Sequence, residues 1–186
     1  MSWIQLYNSE FFDFNDLSID NISIETIAHS LSMQCRFNGH CNKFYSVAEH
    51  SVRVCARVYY LAGGATIPSM FALLHDASEA ILCDIPSPLK RLNDMRVYRE
   101  AEKDVQNKLF DKLGYGYDEK SAELTLQADL ELLATEKEQI MSKAPIEWGE
   151  LPEPLVIYKL AGWSPYKAKE EFLKTYNELK SVHSNG

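Results

Sequence analysis

The sequence has no uninterrupted apolar run close to the length of a membrane span, which is about 20 residues. At the start of the sequence, no basic segment precedes an apolar core. We therefore expect a cytoplasmic protein with neither a membrane anchor nor a signal peptide. Its four cysteines lack the regular short spacing of a disulfide framework, which favours reduced thiols. A net charge of −8 argues against duplex nucleic acid or an anionic membrane as the partner.

Alternation of apolar and polar residues, the pattern of a half-buried strand, is also missing over any convincing length. Apolar residues recur instead at helical spacing, and Ser46 with Glu49 fits a capping box at one helix start. The pattern predicts an all-α fold with helices over 24–34, from 46 to the 63–64 glycine pair, and over 69–82, 94–113, 119–142 and 166–181. At 186 residues the chain suits a single domain, with a core of about 22–180 and an irregular N-terminal arm over 1–21.

Residues 73–90, LLHDASEAILCDIPSPLK, combine an apolar segment with several side chains that bind metals or transfer protons. Side chains three or four positions apart share a helix face, so Glu79 is expected beside His75 and Asp76, with Asp84 following where prolines end the helix. Burying so many charges is costly unless a cation or a reaction requires them. The stretch therefore predicts a metal-centred hydrolytic site.

Two further candidates lie on other predicted helices among apolar neighbours: His50 in FYSVAEHS and Asp129 in LTLQADLELL. Alone, His50 is more simply interpreted as a hydrogen-bonded core histidine. Asp129 alone is equally well interpreted as a solvated helix residue. Their order along the chain, with the His75–Asp76 pair between them, favours one shared metal site.

These residues resemble the four-ligand motif of the HD-domain metal-dependent phosphohydrolases, over about residues 22–180. VAEHS, HDASEAILCDIPSPLK and QADLELL are similar to segments of bacterial 5′-deoxynucleotidases and their phage relatives. RFNGHCNKFYSVAEHS and GWSPYKAKEEFLKTY resemble the small phage-type branch, which includes the dATP triphosphohydrolases of phages that replace adenine with 2-aminoadenine. The resemblance implies an HD-domain helical bundle.

It also implies one divalent ion, whose ligands would be His50, His75, Asp76 and Asp129. Mixed imidazole and carboxylate ligands suit Zn, Co, Mn, Fe or Ni, and a triphosphate substrate is compatible with its own Mg²⁺. The ion would lower the pKa of water and polarise a phosphoryl oxygen. Glu79 would orient that water or take its proton, and Asp84 would be the second catalytic acid. Taken alone, Glu79 fits a surface helix carboxylate and Asp84 a turn residue.

Cations for phosphate lie in the same segments. Arg36 matches the substrate-clamping arginine of the family, and its planar fork can hold two phosphate oxygens. Lys90, which follows Pro88 at the expected mouth of the site, is a candidate for a distal phosphate, and Lys43 is a weaker one. For Lys43, and for Arg91 as another weaker candidate, a solvated surface residue is the simpler interpretation. The candidates to contact substrate in these segments are Arg36, Lys43, Pro88 and Lys90.

The nucleobase is expected between the 36–41 loop and the proline turn. Phe37 is a candidate to stack on the base, although a plain core role explains it equally well. Gly39 permits close approach of the backbone, and it excludes the base less strictly than a larger residue would.

The leading functional prediction is hydrolysis of dATP to deoxyadenosine and triphosphate. The alternative enzyme is a 5′-deoxynucleotidase that acts on dNMPs; hydrolysis of a signalling nucleotide has no extra support. A non-catalytic, metal-stabilised interaction domain is the alternative from another class. Relatives self-associate, so we also expect a homo-oligomer, with apolar residues of the 94–113 helix as candidates for its interface.

Overall fold

The computed structural model describes residues 2–183 and is built mainly of helices, as the sequence predicts. A short antiparallel hairpin comes first, followed by long and short helices. The elements are β1 (Trp3–Gln5), β2 (Phe11–Asp13), α1 (Ile24–Met33), α2 (Val47–Leu61), α3 (Thr66–Leu73), α4 (Glu79–Leu82), α5 (Ser87–Lys90), α6 (Arg96–Leu113), α7 (Glu119–Ile140) and α8 (Pro165–His183). No helix within residues 2–183 is both long and apolar enough to cross a membrane.

The N-terminal segment was expected to be irregular, and this prediction is wrong for residues 3–13. Ile4 of β1 pairs with Phe12 of β2 in an antiparallel register. Three-residue strands are too short to produce a clear alternating pattern, which is why the sequence did not reveal them. Phe12 and Ile19 are buried in the main core, so the segment packs on the helices.

The first two long helices begin at serine caps, and Ser46 is the one that the capping-box spacing predicts. Ser23 accepts a hydrogen bond from the Thr26 backbone at the start of α1, and Ser46 accepts one from the Glu49 backbone at the start of α2. The Glu49 carboxylate does not complete a capping box. It instead accepts hydrogen bonds from Arg53 and from the Trp163 backbone, which ties the chain before α8 to α2.

The predicted continuous helix over 69–82 is wrong, because the chain leaves the helical path at its centre. Helix α3 begins earlier, at Thr66, and ends at Leu73; a turn follows, and α4 is a single helical turn. The segment after α4 begins with Cys83, a non-glycine residue at positive φ, and leads to Pro86 at the start of α5. The prolines then begin another helical turn, α5, which the sequence analysis missed.

The later helices follow the prediction closely. Helix α6 begins at Arg96, after a 3₁₀ turn over Asn93–Met95, and ends at Gly114 in the left-handed conformation. Asp118 caps α7. Within α7, Ala128 and Leu132 are fully buried, while Leu124 packs at the edge of their cluster.

Helix α2 lies at the centre of the bundle and packs against α3, α7 and α8. Val54 and Val58 of α2 meet Ala72, Ala128 and Leu132 in one buried cluster. Because α2, α7 and the turn after α3 also carry the candidate metal ligands, the same packing that forms this core brings those ligands together.

Candidate metal centre

The four candidate ligands converge from three parts of the fold. The ligand atoms of His50, His75 and Asp76 all lie within 4.8 Å of one another. Asp129 reaches them from α7, with Oδ1 3.1 Å from His50 Nε2. His75 Nε2 lies 3.1 Å from Asp76 Oδ2. Three candidate ligands therefore form one group, and Asp129 lies at its edge against His50.

Both histidines have their other ring nitrogen occupied. His50 Nδ1 lies 2.7 Å from Glu136 Oε1, and His75 Nδ1 lies 2.7 Å from the Ala72 carbonyl oxygen. Carboxylate and carbonyl oxygens accept hydrogen bonds, so each Nδ1 is the protonated donor. With Nδ1 as the donor, the neutral form of each ring has its lone pair on Nε2, which is the tautomer a metal ligand requires.

His50 Nε2 is the atom that most directly indicates a bound cation. It is buried and makes no hydrogen bond of acceptable geometry to any residue that the structure describes. Burial and Arg36 lower the pKa of His50, but Glu136 and Asp129 outweigh them and raise it to about 9. The site thus favours a positive charge at this ring, which a divalent ion facing Nε2 would supply.

The two candidate carboxylate ligands are held ionised. Burial alone raises the pKa of Asp76, but His75, His50 and Arg36 reverse this and hold it well below its usual range. Burial likewise raises the pKa of Asp129, but the neighbouring His50 ring outweighs it and lowers the pKa. Ionised carboxylates are the form that binds metal.

The turn that carries His75 and Asp76 is fastened by a residue of α6. Gln106 donates from Nε2 to the Leu74 carbonyl at 2.7 Å and accepts from the Ser78 backbone at 2.9 Å. These bonds satisfy backbone groups on both sides of the pair. The turn is therefore held by tertiary contacts, where a continuous helix had been predicted.

Gln34 fastens the two predicted catalytic acids in a similar way. Its Nε2 donates to the Glu79 carbonyl at 2.9 Å, and its Oε1 accepts from the Asp84 backbone at 3.0 Å. Burial raises the pKa of Glu79, and Asp76 and Asp84 raise it further. Burial also raises the pKa of Asp84, against the opposing charge of Arg36. Both groups have a pKa above that of an ordinary carboxyl group, which favours a role in proton transfer.

Glu79 carries one engaged oxygen and one unpartnered oxygen. Oε1 accepts from Lys90 Nζ at 3.0 Å, and the same ammonium contacts Glu102 at 2.5 Å. Oε2 is buried without a hydrogen-bond partner among the described residues. Lys90 is thus engaged by two carboxylates beside the site.

Arg36 lies against the metal centre, with its side chain 12% exposed. Its Nε and Nη2 each lie 3.2 Å from Glu136 Oε2, and its Nη1 lies 3.8 Å from Asp76 Oδ2. Burial opposes the charge on Arg36, but Glu136, Asp129 and Asp76 outweigh it and raise its pKa. Arg36 is a permanent cation at the edge of the cluster.

The other predicted substrate residues are less closely grouped. Lys43 Nζ donates to the Leu160 carbonyl at 3.1 Å, a contact with the chain before α8. Phe37 is half-buried, lies 5.4 Å below the Arg36 guanidinium and packs on the cluster of Tyr45, Ile140 and Leu160. Gly39 has φ +76° and open space where a Cβ would lie, and Pro88 is exposed in α5.

A pocket of about 270 Å³ opens beside the cluster. The pocket extends from the metal centre to basic residues of α5 and α6, and two carboxylates other than that of Asp76 also line it. The lining residues are His75, Asp76, Ser78, Glu79, Lys90, Arg99, Glu102, Lys103 and Gln106. The pocket is large enough for a small polar group next to the ligands, and its lining is mixed in charge.

Sequence reasoning missed several residues of the site: Gln34, Arg99, Glu102, Gln106 and Glu136. Only Glu136 had a usable signal, since it follows Asp129 by seven positions, two helical turns further on the same face. The amides and α6 residues join the site through contacts between distant segments. No local spacing could have revealed them.

Comparison with known proteins agrees with this geometry. Residues 34–139 match the HD domain family, a range that includes all four candidate ligands. The chain is 33% identical over 187 residues to the uncharacterized protein YfdR of Escherichia coli K12, covering 98% of each. It is also 37% identical over 93 residues to an uncharacterized protein of Rhodobacter capsulatus, covering 48% of this chain and 47% of that protein. The chain belongs to the HD-domain family of metal-dependent phosphohydrolases.

Proposed function

We propose that the protein hydrolyses deoxynucleotides, with conversion of dATP to deoxyadenosine and triphosphate as the leading reaction. The observation that carries a phosphohydrolase is the buried, unpartnered Nε2 of His50, facing Asp129, Asp76 and His75. The choice of dATP rests on the resemblance of the RFNGH and GWSP segments to the phage-type branch.

His50, His75, Asp76 and Asp129 would hold the divalent ion. Two neutral imidazoles and two carboxylates suit a first-row transition metal, and both histidine tautomers leave Nε2 free for it. When bound, such an ion polarises the phosphoryl oxygen and lowers the pKa of the attacking water.

Glu79 and Asp84 would carry out the proton transfers. Glu79 Oε2, which lacks a partner, accepts the proton of the water that attacks the α-phosphorus. The bond between phosphorus and O5′ breaks, and the carboxyl group of Asp84 supplies the proton that O5′ needs. The raised pKa of each carboxyl group supports these roles, because it makes the protonated form easier to reach than in an ordinary carboxylate.

Arg36 would bind the phosphoryl oxygens. Nε and Nη2 are held by Glu136, which leaves Nη1 on the side of Asp76 and the metal centre. The neighbouring pocket supplies space for a phosphate chain, with Arg99 and Lys103 on its wall. We assign the β- and γ-phosphates to this pocket, which favours a triphosphate. Phe37 and Gly39 would face the base.

The runner-up is a 5′-deoxynucleotidase, and one observation favours it. Lys90 was expected to reach a distal phosphate, but its ammonium lies between Glu79 and Glu102. A cation neutralised by two carboxylates attracts a phosphate chain weakly. A monophosphate needs only Arg36 and the ion, so the same site residues would serve either substrate.

The test is product analysis with metal-profiled protein. Each dNTP, dNMP and NTP is incubated with protein loaded separately with Mn²⁺, Co²⁺, Zn²⁺, Fe²⁺ or Ni²⁺, and products are resolved by anion-exchange chromatography. We expect deoxyadenosine and triphosphate from dATP, and no turnover by His75→Ala. His29→Ala is the matched control and should leave activity intact. The His29 ring stacks on Tyr7, with the ring centroids 3.9 Å apart.

The products separate the alternatives. Inorganic phosphate released only from monophosphates would assign the protein to the deoxynucleotidases. No product from any nucleotide, with metal fully loaded, would refute the enzyme proposal and favour a metal-stabilised interaction domain.

We also propose that the protein is a homo-oligomer with α6 at the interface. Val97 on α6 is 70% exposed, and Leu89 and Leu92 just before it are also exposed. Burial of these side chains would favour association. Light scattering should give a multiple of the chain mass, and Val97→Asp should reduce it; a monomeric wild-type protein would refute this.

A further inference from the structure

Glu136 is a fully buried carboxylate on α7 that contacts two residues of the site. An ionised carboxylate without partners is very costly in a protein interior. Burial raises the pKa of Glu136, but Arg36 and His50 outweigh it and lower the pKa below its usual value. The partners that offset its burial are Arg36 and His50, which together contact both of its oxygens.

Its two oxygens are divided between those partners. Oε1 accepts from His50 Nδ1 at 2.7 Å, while Oε2 accepts from Arg36 Nε at 3.2 Å and forms an ion pair with Arg36 Nη2 at the same distance. Glu136 thus contacts a candidate metal ligand through the Nδ1 of His50, and it contacts a candidate phosphate-binding residue through the Nε and Nη2 of Arg36.

We infer that Glu136 is a positioning residue that sets His50 for metal binding and Arg36 for phosphate binding in one arrangement. The inference rests on the proposed function, because it takes the ligand role of His50 and the substrate role of Arg36 from it. Glu136 itself touches neither the ion nor the phosphate.

The contact with His50 acts on the metal. Glu136 accepts a hydrogen bond from the Nδ1–H of His50, which leaves the lone pair of the ring on Nε2 and fixes the plane of the ring. A carboxylate behind a ligating histidine also makes the ligand more basic. Loss of such a partner typically weakens metal binding by about 10–100-fold.

The contact with Arg36 acts on the substrate. Two of the guanidinium nitrogens are occupied by Glu136, so the group cannot rotate freely, and Nη1 stays within 3.8 Å of Asp76 Oδ2. An arginine that is already oriented loses less freedom when it binds a phosphate. Removing this contact should weaken substrate binding without changing the proton-transfer groups.

The same helix offers a matched control. Glu131 pairs with Arg57 at 2.5 and 3.2 Å, and both side chains are largely shielded, at 12% and 15% exposed. This carboxylate–arginine pair has the chemistry of the Glu136–Arg36 pair but joins α7 to α2 without contacting a candidate ligand. Glu131→Gln therefore reports the cost of disturbing such a pair on α7.

The experiment compares wild type, Glu136→Gln, Glu136→Ala and Glu131→Gln. Circular dichroism establishes that each is folded. Co²⁺ is titrated into each metal-free protein while its visible absorption spectrum is recorded, and kcat and KM are measured on the substrate that the wild type hydrolyses. The Co²⁺ spectrum reports ligand geometry, which a purely structural role of Glu136 would leave unchanged.

The two substitutions at 136 should separate the contacts. Glutamine can still accept from His50 through its carbonyl oxygen, but its amide nitrogen then faces the donors of Arg36. Glu136→Gln should keep Co²⁺ affinity within a few-fold of wild type and raise KM about tenfold or more. Glu136→Ala should also weaken Co²⁺ binding about 10–100-fold and alter the spectrum. Glu131→Gln should change neither.

The outcomes distinguish this inference from the function beneath it. Wild-type Co²⁺ affinity, spectrum and KM in Glu136→Gln and Glu136→Ala, alongside an active wild type, would overturn the inference alone. Equal losses in Glu131→Gln would also overturn it, because any buried pair on α7 would then have the same effect. A wild-type protein that binds no Co²⁺ would overturn the proposed function and the inference together. If Glu136→Ala does not fold, Glu136→Gln still decides, since its KM either rises or does not.

Discussion

Gly162 occupies a position where even a methyl group should be harmful. It precedes Trp163 in the segment before α8, with φ +77°, and a Cβ built there would lie 2.5 Å from the Phe44 carbonyl oxygen. Carbons of the Lys43 side chain lie at 3.3 Å. Because the nearest atom belongs to the backbone, Gly162→Ala cannot be accommodated by a side-chain rotation. Either the segment before α8 or the chain leading into α2 must shift.

Gly114→Ala measures the conformational part of this cost alone. Gly114 has φ +81°, but a Cβ there would meet nothing within 4 Å. A left-handed conformation costs a non-glycine residue about 1–2 kcal/mol, and this applies to both substitutions. Overpacking adds about 1–3 kcal/mol at Gly162 only. For a chain of this size each kcal/mol lowers the melting temperature by about 2–4 °C. Gly162→Ala should thus melt below Gly114→Ala by about 2–12 °C.

Thermal melts of both variants at one protein concentration, followed by circular dichroism, provide the assay. Equal melting temperatures would refute the close approach of Gly162 to Phe44. The result bears on the site, because Trp163 donates its backbone N–H to Glu49 at 2.6 Å and Glu49 lies next to His50 on α2. We expect weaker Co²⁺ binding in Gly162→Ala than in Gly114→Ala.

Three further predictions follow from the same contacts. Chelation of the metal should lower the melting temperature, and an ion at about 100 times its dissociation constant should restore about 2.7 kcal/mol, or about 5–11 °C; no shift with any transition metal would contradict the metal site. Gln106→Leu should cost about 1–3 kcal/mol, because the Leu74 carbonyl and the Ser78 N–H lose their partner. Melts and Co²⁺ titration would check it, with unchanged values arguing against the fastening of the turn. Hydrogen bonds from Ser121 lower the pKa of Asp118 below its ordinary 3.8, so the α7 cap stabilises above that pH and its effect is lost as the pH falls through the lower folded value. Asp118→Ala should therefore melt below wild type at pH 7 by an amount that shrinks below pH 3.8; a difference independent of pH would refute this.

The long helices could be predicted from the sequence because their signals are local. The Ser23 cap, the apolar spacing of α1 and the left-handed Gly114 after α6 are each contained within a few residues. Helix α7 likewise begins after its Asp118 cap, within the predicted range. Such signals depend on intrahelical geometry, which any helix in any fold must satisfy.

The interruption at residues 74–78 could not be predicted in this way. Residues 69–82 contain neither proline nor glycine, so nothing in the local sequence breaks a helix there. Gln106 of α6 supplies the hydrogen bonds that stabilise the turn, and Gln34 supplies those that fasten the chain beyond α4. Tertiary hydrogen bonds here override the local propensity. The His75–Asp76 pair consequently faces the metal centre from a turn, beside His50.

Glu136 marks the boundary between what the sequence contains and what only folding reveals. In the segment ATEKE it looks like one of several solvated charges, and the two-turn spacing from Asp129 was its only distinguishing mark. Its partner Arg36 lies 100 residues away in the chain. Burying Glu136 is affordable only if Arg36 and His50 are both present, so each of the three residues depends on the others for its environment. Spacing patterns can identify ligands that share a motif. Residues that position those ligands depend on charge balance within the folded core, and that balance arises only when Arg36, α2 and α7 are brought together.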